Sequence, residues 1–171
     1  MTQDLKVQTE TYMSHESEVG AWRDANRASA ERLVALIPNQ QAKIADSACG
    51  DGCALERLAE LGYADLHGVE AAEVKATIAR KLVPSAQIHT HDLHDPFPVK
   101  DLDAIHSRHT LEHCHTPGKV LQEWFTVLKP GGIVSLTTPH PDGDPNTEAH
   151  CGSGHLRTRN PTTQGAVEAV L

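Results

Sequence analysis

Apolar positions along the chain change their period several times, and each change marks a new element. From Glu18 to Ile37 they fall at Trp22, Ala25, Ala30, Leu33, Val34 and Ile37, a helical stripe that Pro38 closes. Lys43-Ile44-Ala45-Asp46 reads as a short buried strand running into the small-residue segment Ser47 to Gly52. A helix follows, with Leu55, Leu58 and Ala59 inward and Gly62 as its C-cap. Leu66 to Glu70 is a second strand, and Val74, Ile78 and Leu82, four apart, mark a helix that Pro84 stops. Ala86 to His91 and Leu102 to Ser107 read as the third and fourth strands. Thr116-Pro117 is a cap followed by a first-turn proline, opening a helix whose buried face is Val120, Leu121, Trp124, Val127 and Leu128. Lys129-Pro130-Gly131-Gly132 turns the chain into a fifth strand, Ile133 to Thr138.

Strands alternating with helices predict a Rossmann-like, doubly wound α/β fold, a mostly parallel sheet in a three-layer α/β/α sandwich. The 171 residues suit a single domain over 1–171. Within it, 1–40 form an arm and helix, 41–140 the core, and 141–171 a loop ending in a helix from Pro161.

Composition narrows the function. Hydrophobic residues make up 39% and charged residues 22%, as in a globular chain. No run approaches the roughly 18 apolar residues of a bilayer span, and the polar Met1–Glu10 segment has no signal-peptide core. The formal charge of −8 disfavours a nucleic-acid partner, whose phosphates call for cations. Four cysteines without a C-x-x-C pair point to a reducing cytoplasm rather than a disulfide framework.

The segment after the first strand carries the chemistry. Asp46-Ser47-Ala48-Cys49-Gly50-Asp51-Gly52 lets the backbone approach a ligand and aims helix N–H groups at it. Glu70 ends the second strand, where a carboxylate can accept both hydroxyls of a ribose. Asp92 ends the third, where it could receive an adenine amino group. No G-x-x-x-x-G-K-[ST] occurs, and Ala48 and Cys53 depart from the nicotinamide G-x-G-x-x-G, so neither phosphate-binding alternative fits well.

The ordered set resembles the class I S-adenosylmethionine-dependent methyltransferases. Asp46 to Gly52 is similar to their D-x-G-x-G-x-G motif, and Gly68-Val69-Glu70 to their acidic second-strand motif. His91-Asp92-Leu93 with Pro96-Phe97-Pro98 is similar to their adenine-side loop. His109-Thr110-Leu111-Glu112-His113 and Leu128-Lys129-Pro130-Gly131-Gly132 resemble signatures of the small-molecule branch, the type 11 and ubiquinone-biosynthesis-like group. The resemblance implies S-adenosyl-L-methionine as cofactor. It places Asp46 and the Ala48, Cys49, Gly50 and Gly52 backbone at the methionine end, and Glu70 with Ala71 at the ribose. Asp92 and Leu93 would flank adenine, and Ser107 and Arg108 the sulfonium.

A small-molecule acceptor methylated at oxygen is expected, because the amino- and cytosine-methylation signatures of DNA enzymes are missing. His109, His113 and His140 are the candidates for a base at the acceptor. No metal is expected, although His109-x-x-Glu112-His113 spells a metalloprotease pattern that a helix could present to zinc. A donor-binding module without catalysis is the competing reading. It draws on Ala48, which replaces the motif's first glycine, and on a chain that ends before the family's last strands. With those strands lacking, a homodimer or partner chain is expected to cover the edge of the fifth strand.

Overall fold

The computed structural model describes residues 16–138 and 167–170. Helix α1 (Glu16–Leu36) leads into strand β1 (Ile44–Ser47), helix α2 (Cys53–Glu60), β2 (Leu66–Glu70), α3 (Glu73–Leu82) and β3 (Gln87–Thr90). Strand β4 (Leu102–Arg108), a 3₁₀ turn (Leu111–His113), α4 (Pro117–Val127), β5 (Leu128–Thr137) and β6 (Val167–Val170) complete the described chain. The sheet runs in the order β3-β2-β1-β4-β5-β6. Every neighbouring pair is parallel except β5 with β6.

Alternation along the strands sorts two cores. Ile44, Leu66 and Ala104 face one side with Ala30 and Leu33 of α1, Ile37 just past its end, Leu55 and Leu58 of α2, and Ala79 of α3. Ala45, Val69 and Ile105 face the other side, with Val120, Trp124 and Val127 of α4. Helices thus cover both faces, as the strand–helix alternation predicts. The end of α2 is closed as expected at Gly62, whose N–H bonds Ala59 O at 3.0 Å while Tyr63 N bonds Leu58 O at 3.1 Å.

Three expectations are corrected. The C-terminal helix gives way, over Val167–Val170, to a strand antiparallel to β5, with Ile133 opposite Val170 and Leu136 opposite Val167. That strand supplies hydrogen-bond partners to the β5 edge, so no second chain is needed there. The buried face of α3 is Ala76 and Ala79, whereas Val74 is 58% exposed. Only small residues fit, because the helix presses on the loop after β1: a Cβ on Gly52 would lie 3.1 Å from Ala79 Cβ. Trp22, counted in the α1 core stripe, is 36% exposed.

Candidate active site

Strand order reverses between β1 and β4, and in such sheets ligands bind outside the C-terminal strand ends at the reversal. The loop that leaves β1 there is tightly held. Cys49 N bonds Val69 O at 3.0 Å, and Gly52 N bonds Cys49 O at 3.0 Å. Ala48, Gly50 and Gly52 all have positive φ, at 59°, 57° and 90°. A Cβ on Gly50 would meet nothing within 4 Å, so that part of the loop opens on free space.

Glu70 fastens this loop to β2. Its Oε2 accepts from Gly50 N and its Oε1 from Ala72 N, each at 2.9 Å, and the residue is buried. Half-buried Ala71 lies between the two anchor points. Each carboxylate oxygen keeps a second lone pair, so the clamp leaves acceptor capacity for a ligand's hydroxyls.

Asp46 lies beneath the loop, with its side chain 4% exposed. Its Oδ1 accepts from His106 Nδ1 at 2.8 Å, and His106 Nε2 lies 2.8 Å from Ser29 Oγ. Cys49, buried in the same loop, feels both carboxylates. Burial pushes that thiol well above its usual value, and the charges of Asp46 and Glu70 push it further.

Asp92 behaves differently. Its side chain is 57% exposed, and Oδ1 accepts from His94 N at 2.9 Å and lies 2.8 Å from His94 Nδ1. The backbone N–H and ring of His94 hold its carboxyl below the usual range. Half-buried Leu93 packs on the α4-side core. Cys114, in the loop after β4, is pushed up to about 11 by burial and then by the charges of Glu112 and Asp92.

That loop forms the other wall. Ser107, expected to line the sulfonium side, is fully buried, with its hydroxyl 3.3 Å from Ser47 O. Arg108 lies over the Trp22 ring, 4.4 Å from its centroid. His109 has φ 51°, a conformation non-glycine residues rarely adopt. Its N–H bonds Thr137 O at 2.8 Å, its ring sits 5.5 Å from that of Trp22, and its Nδ1 lies 3.2 Å from Glu112 Oε1. Both Glu112 oxygens are buried without a well-formed hydrogen bond. His113 is exposed, and His140 lies outside the described residues.

Trp22, Ser29 and His106 were not singled out for the site from sequence, and Glu112 only within the metalloprotease pattern. A histidine in the apolar run Ala104-Ile105-His106 was the available signal, since a buried polar group requires partners. The metalloprotease pattern does not form a helical metal face: Leu111–His113 is a single 3₁₀ turn, and His109 precedes it in the left-handed region. Among the described residues, no group of three or more His, Cys, Asp and Glu could hold a metal. A cavity of about 260 Å³ between Pro38, Asp103 and Pro130 lies at the opposite end of the sheet, away from this crevice.

Sheet order, with a glycine loop after β1 and an acidic residue at the end of β2, defines an α/β domain of the doubly wound class. The family described as "Methyltransferase domain" matches residues 45–136, and the chain belongs to that family, in the class I, S-adenosylmethionine-dependent type 11 branch. A ubiquinone biosynthesis O-methyltransferase of Hydrogenovibrio crunogenus is 27% identical over 134 residues, 75% of this chain and 55% of that protein. A tRNA U34 carboxymethyltransferase of Idiomarina loihiensis is 26% identical over 126 residues, 69% of this chain and 39% of that protein. The chain therefore spans about half the length of the curated relatives it matches. Among solved structures, DesVI of Streptomyces venezuelae superposes with a TM-score of 0.61 at 23% identity, covering 83% of this chain and 60% of that one. The plantazolicin methyltransferase BpumL, in complex with SAH, gives 0.60 at 20% identity, covering 78% and 52%. One relative is named for a tRNA and others for ubiquinone biosynthesis, so membership alone does not separate nucleic-acid from small-molecule acceptors.

Proposed function

We propose that this domain binds S-adenosylmethionine across the ends of β1 and β2 and transfers its methyl group to a small-molecule acceptor, at oxygen. One observation carries the reading: Glu70 clamps Gly50 and Ala72 through both carboxylate oxygens, beneath a loop that opens at Gly50. Such a cradle fits a nucleoside bearing a zwitterionic tail. Glu70 would accept the ribose hydroxyls through its remaining lone pairs. Asp46, with Oδ1 on His106, would offer Oδ2 to the tail's ammonium group, and backbone N–H groups at the start of α2 its carboxylate. Leu93 and Asp92 would flank the base, and Arg108 the methyl-bearing end.

S-adenosylmethionine supplies a methyl group already activated by its sulfonium. The chain's part is then to orient the acceptor and exclude water. His109 would take the acceptor's hydroxyl proton at Nε2, with Glu112 facing Nδ1. Trp22 would close the site from α1. The absence of the DNA-methylation signatures and the acidic surface support a small acceptor.

Isothermal titration with S-adenosylhomocysteine, the demethylated donor, tests the proposal. Saturable binding of about one ligand per chain is expected, and no heat at millimolar ligand would end it. A thermal-shift screen of acceptors with that ligand present then tests the acceptor class. Stabilisation by tRNA alone would overturn the small-molecule reading.

A further inference from the structure

The hydrogen-bonded chain Ser29–His106–Asp46 joins three elements: α1, β4 and β1. Its members are 1%, 0% and 3% exposed, and both links are 2.8 Å. The order serine, histidine, aspartate is that of a nucleophilic triad, but burial this complete denies any substrate access to Ser29 Oγ. The polar groups must serve something inside the protein, since a buried polar residue in a strand core is otherwise unfavourable.

We propose that Ser29 and His106 are positioning residues for the donor, acting through Asp46 on its amino-acid end. The inference rests on the donor-binding reading above. The carboxylate oxygen Oδ1 is an acceptor, so His106 Nδ1 carries a proton toward it, and His106 Nε2 then accepts from the Ser29 hydroxyl. This assignment satisfies all three groups without a net proton transfer. It pins Asp46 Oδ1 on His106 and fixes the direction of Oδ2, for which no hydrogen bond to the protein is formed among the described residues. Asp46 precedes the loop by one residue, so the rotation of its side chain sets where its charge lies relative to the tail of the ligand. Ser29 sits about two turns along α1 from Trp22, so the same helix that closes the acceptor side also holds the donor side.

Removing the Ser29 hydroxyl frees His106 to rotate, and with it Asp46. The effect should fall only on ligands that carry the amino-acid tail. We expect Ser29→Ala to weaken S-adenosylhomocysteine binding roughly fivefold, the scale of one hydrogen bond, while leaving 5′-methylthioadenosine, which lacks the tail, within about twofold. His106→Asn, which keeps a side-chain N–H donor, should lose less than His106→Phe, again only for the tailed ligand. Ser29→Thr, which keeps the hydroxyl, should restore binding. Circular dichroism and thermal melting establish that each variant is folded, and Ser29→Ala retains a readable result if the His106 variants are not. Equal losses for both ligands would make the chain merely structural, and unchanged binding of both would remove its role. Failure of the wild-type protein to bind S-adenosylhomocysteine would instead overturn the proposed function itself.

Discussion

Glu70 Oε2 accepts a hydrogen bond from Gly50 N at 2.9 Å, so the second strand holds the loop of the first. The other oxygen bonds Ala72 N, also at 2.9 Å. A residue placed at the ribose by resemblance therefore also builds the cradle before any ligand arrives. Glu70→Ala removes both functions. S-adenosylhomocysteine affinity should fall by ~1–3 kcal/mol, and the unpaired Ala72 and Gly50 amides should lower fold stability by a similar ~1–3 kcal/mol. Titration calorimetry and urea denaturation read the two separately. Glu70→Gln keeps one oxygen acceptor and should fall between. Wild-type affinity in the alanine variant would place the ribose elsewhere.

Ala48 occupies the first glycine position of the motif and adopts φ 59°. The left-handed region costs an L-residue about 1–2 kcal/mol, while glycine gives back about 0.5–1 kcal/mol through a more flexible unfolded chain. Ala48→Gly should therefore stabilise the domain slightly, raising Tm by about 1–3 °C for a chain of this size. Thermal melting checks it. A lower Tm would mean that the loop does not hold this conformation in solution.

Strands β1 to β4 and their intervening helices were legible in sequence because their signals are local, whereas β5 begins at Leu128, ahead of the expected turn at Lys129–Gly132 and start at Ile133. Period, proline stops and glycine turns act within a few residues. Leu66 to Glu70 and the first-turn proline of α4 stand where the pattern put them. What escaped depends on distant contacts. Strand β6 is a four-residue segment, Val167–Val170, whose identity comes from the β5 edge it meets rather than from its own short pattern. The α3 face follows from the close approach of Gly52, which admits alanine and turns Val74 outward. The Ser29–His106 link spans 77 positions and the His106–Asp46 link 60. In the site, Glu70 bonds the loop after β1 at Gly50 and Asp46 bonds His106. Asp92 instead turns to His94, an interaction two residues away that the strand-end reading did not weigh.

His109 combines two opposed properties. Its φ of 51° is strained for a histidine, and strain of ~1–3 kcal/mol tends to be retained at working sites. Its ring lies between Trp22 and Glu112 beside the proposed acceptor position. His109→Gly should relieve the backbone and leave stability unchanged or higher. It should also cut methyl transfer to a hydroxyl acceptor by about 10²-fold or more. Donor-product affinity should stay within about twofold of wild type, since no donor contact is assigned to this ring. Melting curves, single-turnover transfer and calorimetry make the comparison. Loss of stability together with unaltered transfer would assign His109 to packing alone.

The cysteines give the domain an alkaline limit. Burial, followed by the Asp51 hydrogen bond, pushes Cys53 up to about 12. Burial and the nearby Glu112 and Asp92 charges push Cys114 up to about 11. In the unfolded chain both thiols ionise near ~8.5. Below that pH both states hold the protons, and the thiols' contribution to stability is intact. As pH rises above it the unfolded state releases protons that the native state keeps, so the unfolded state binds fewer and stability falls toward pH 11–12. Denaturation midpoints measured from pH 7 to 10.5 should therefore decline, and Cys114→Ala should flatten the decline. Native protein at pH 8 should react with a thiol-disulfide reagent far more slowly than denatured protein. The same protonation bears on chemistry at the loop. Burial pushes the Cys49 thiol well up and the charges of Asp46 and Glu70 raise it further, and a neutral thiol is a poor nucleophile. Burial, with those charges behind it, should therefore keep the Cys49 sulfur from taking a methyl group at the proposed site. Rapid modification of Cys49 in the folded protein at pH 8 would show that it does not.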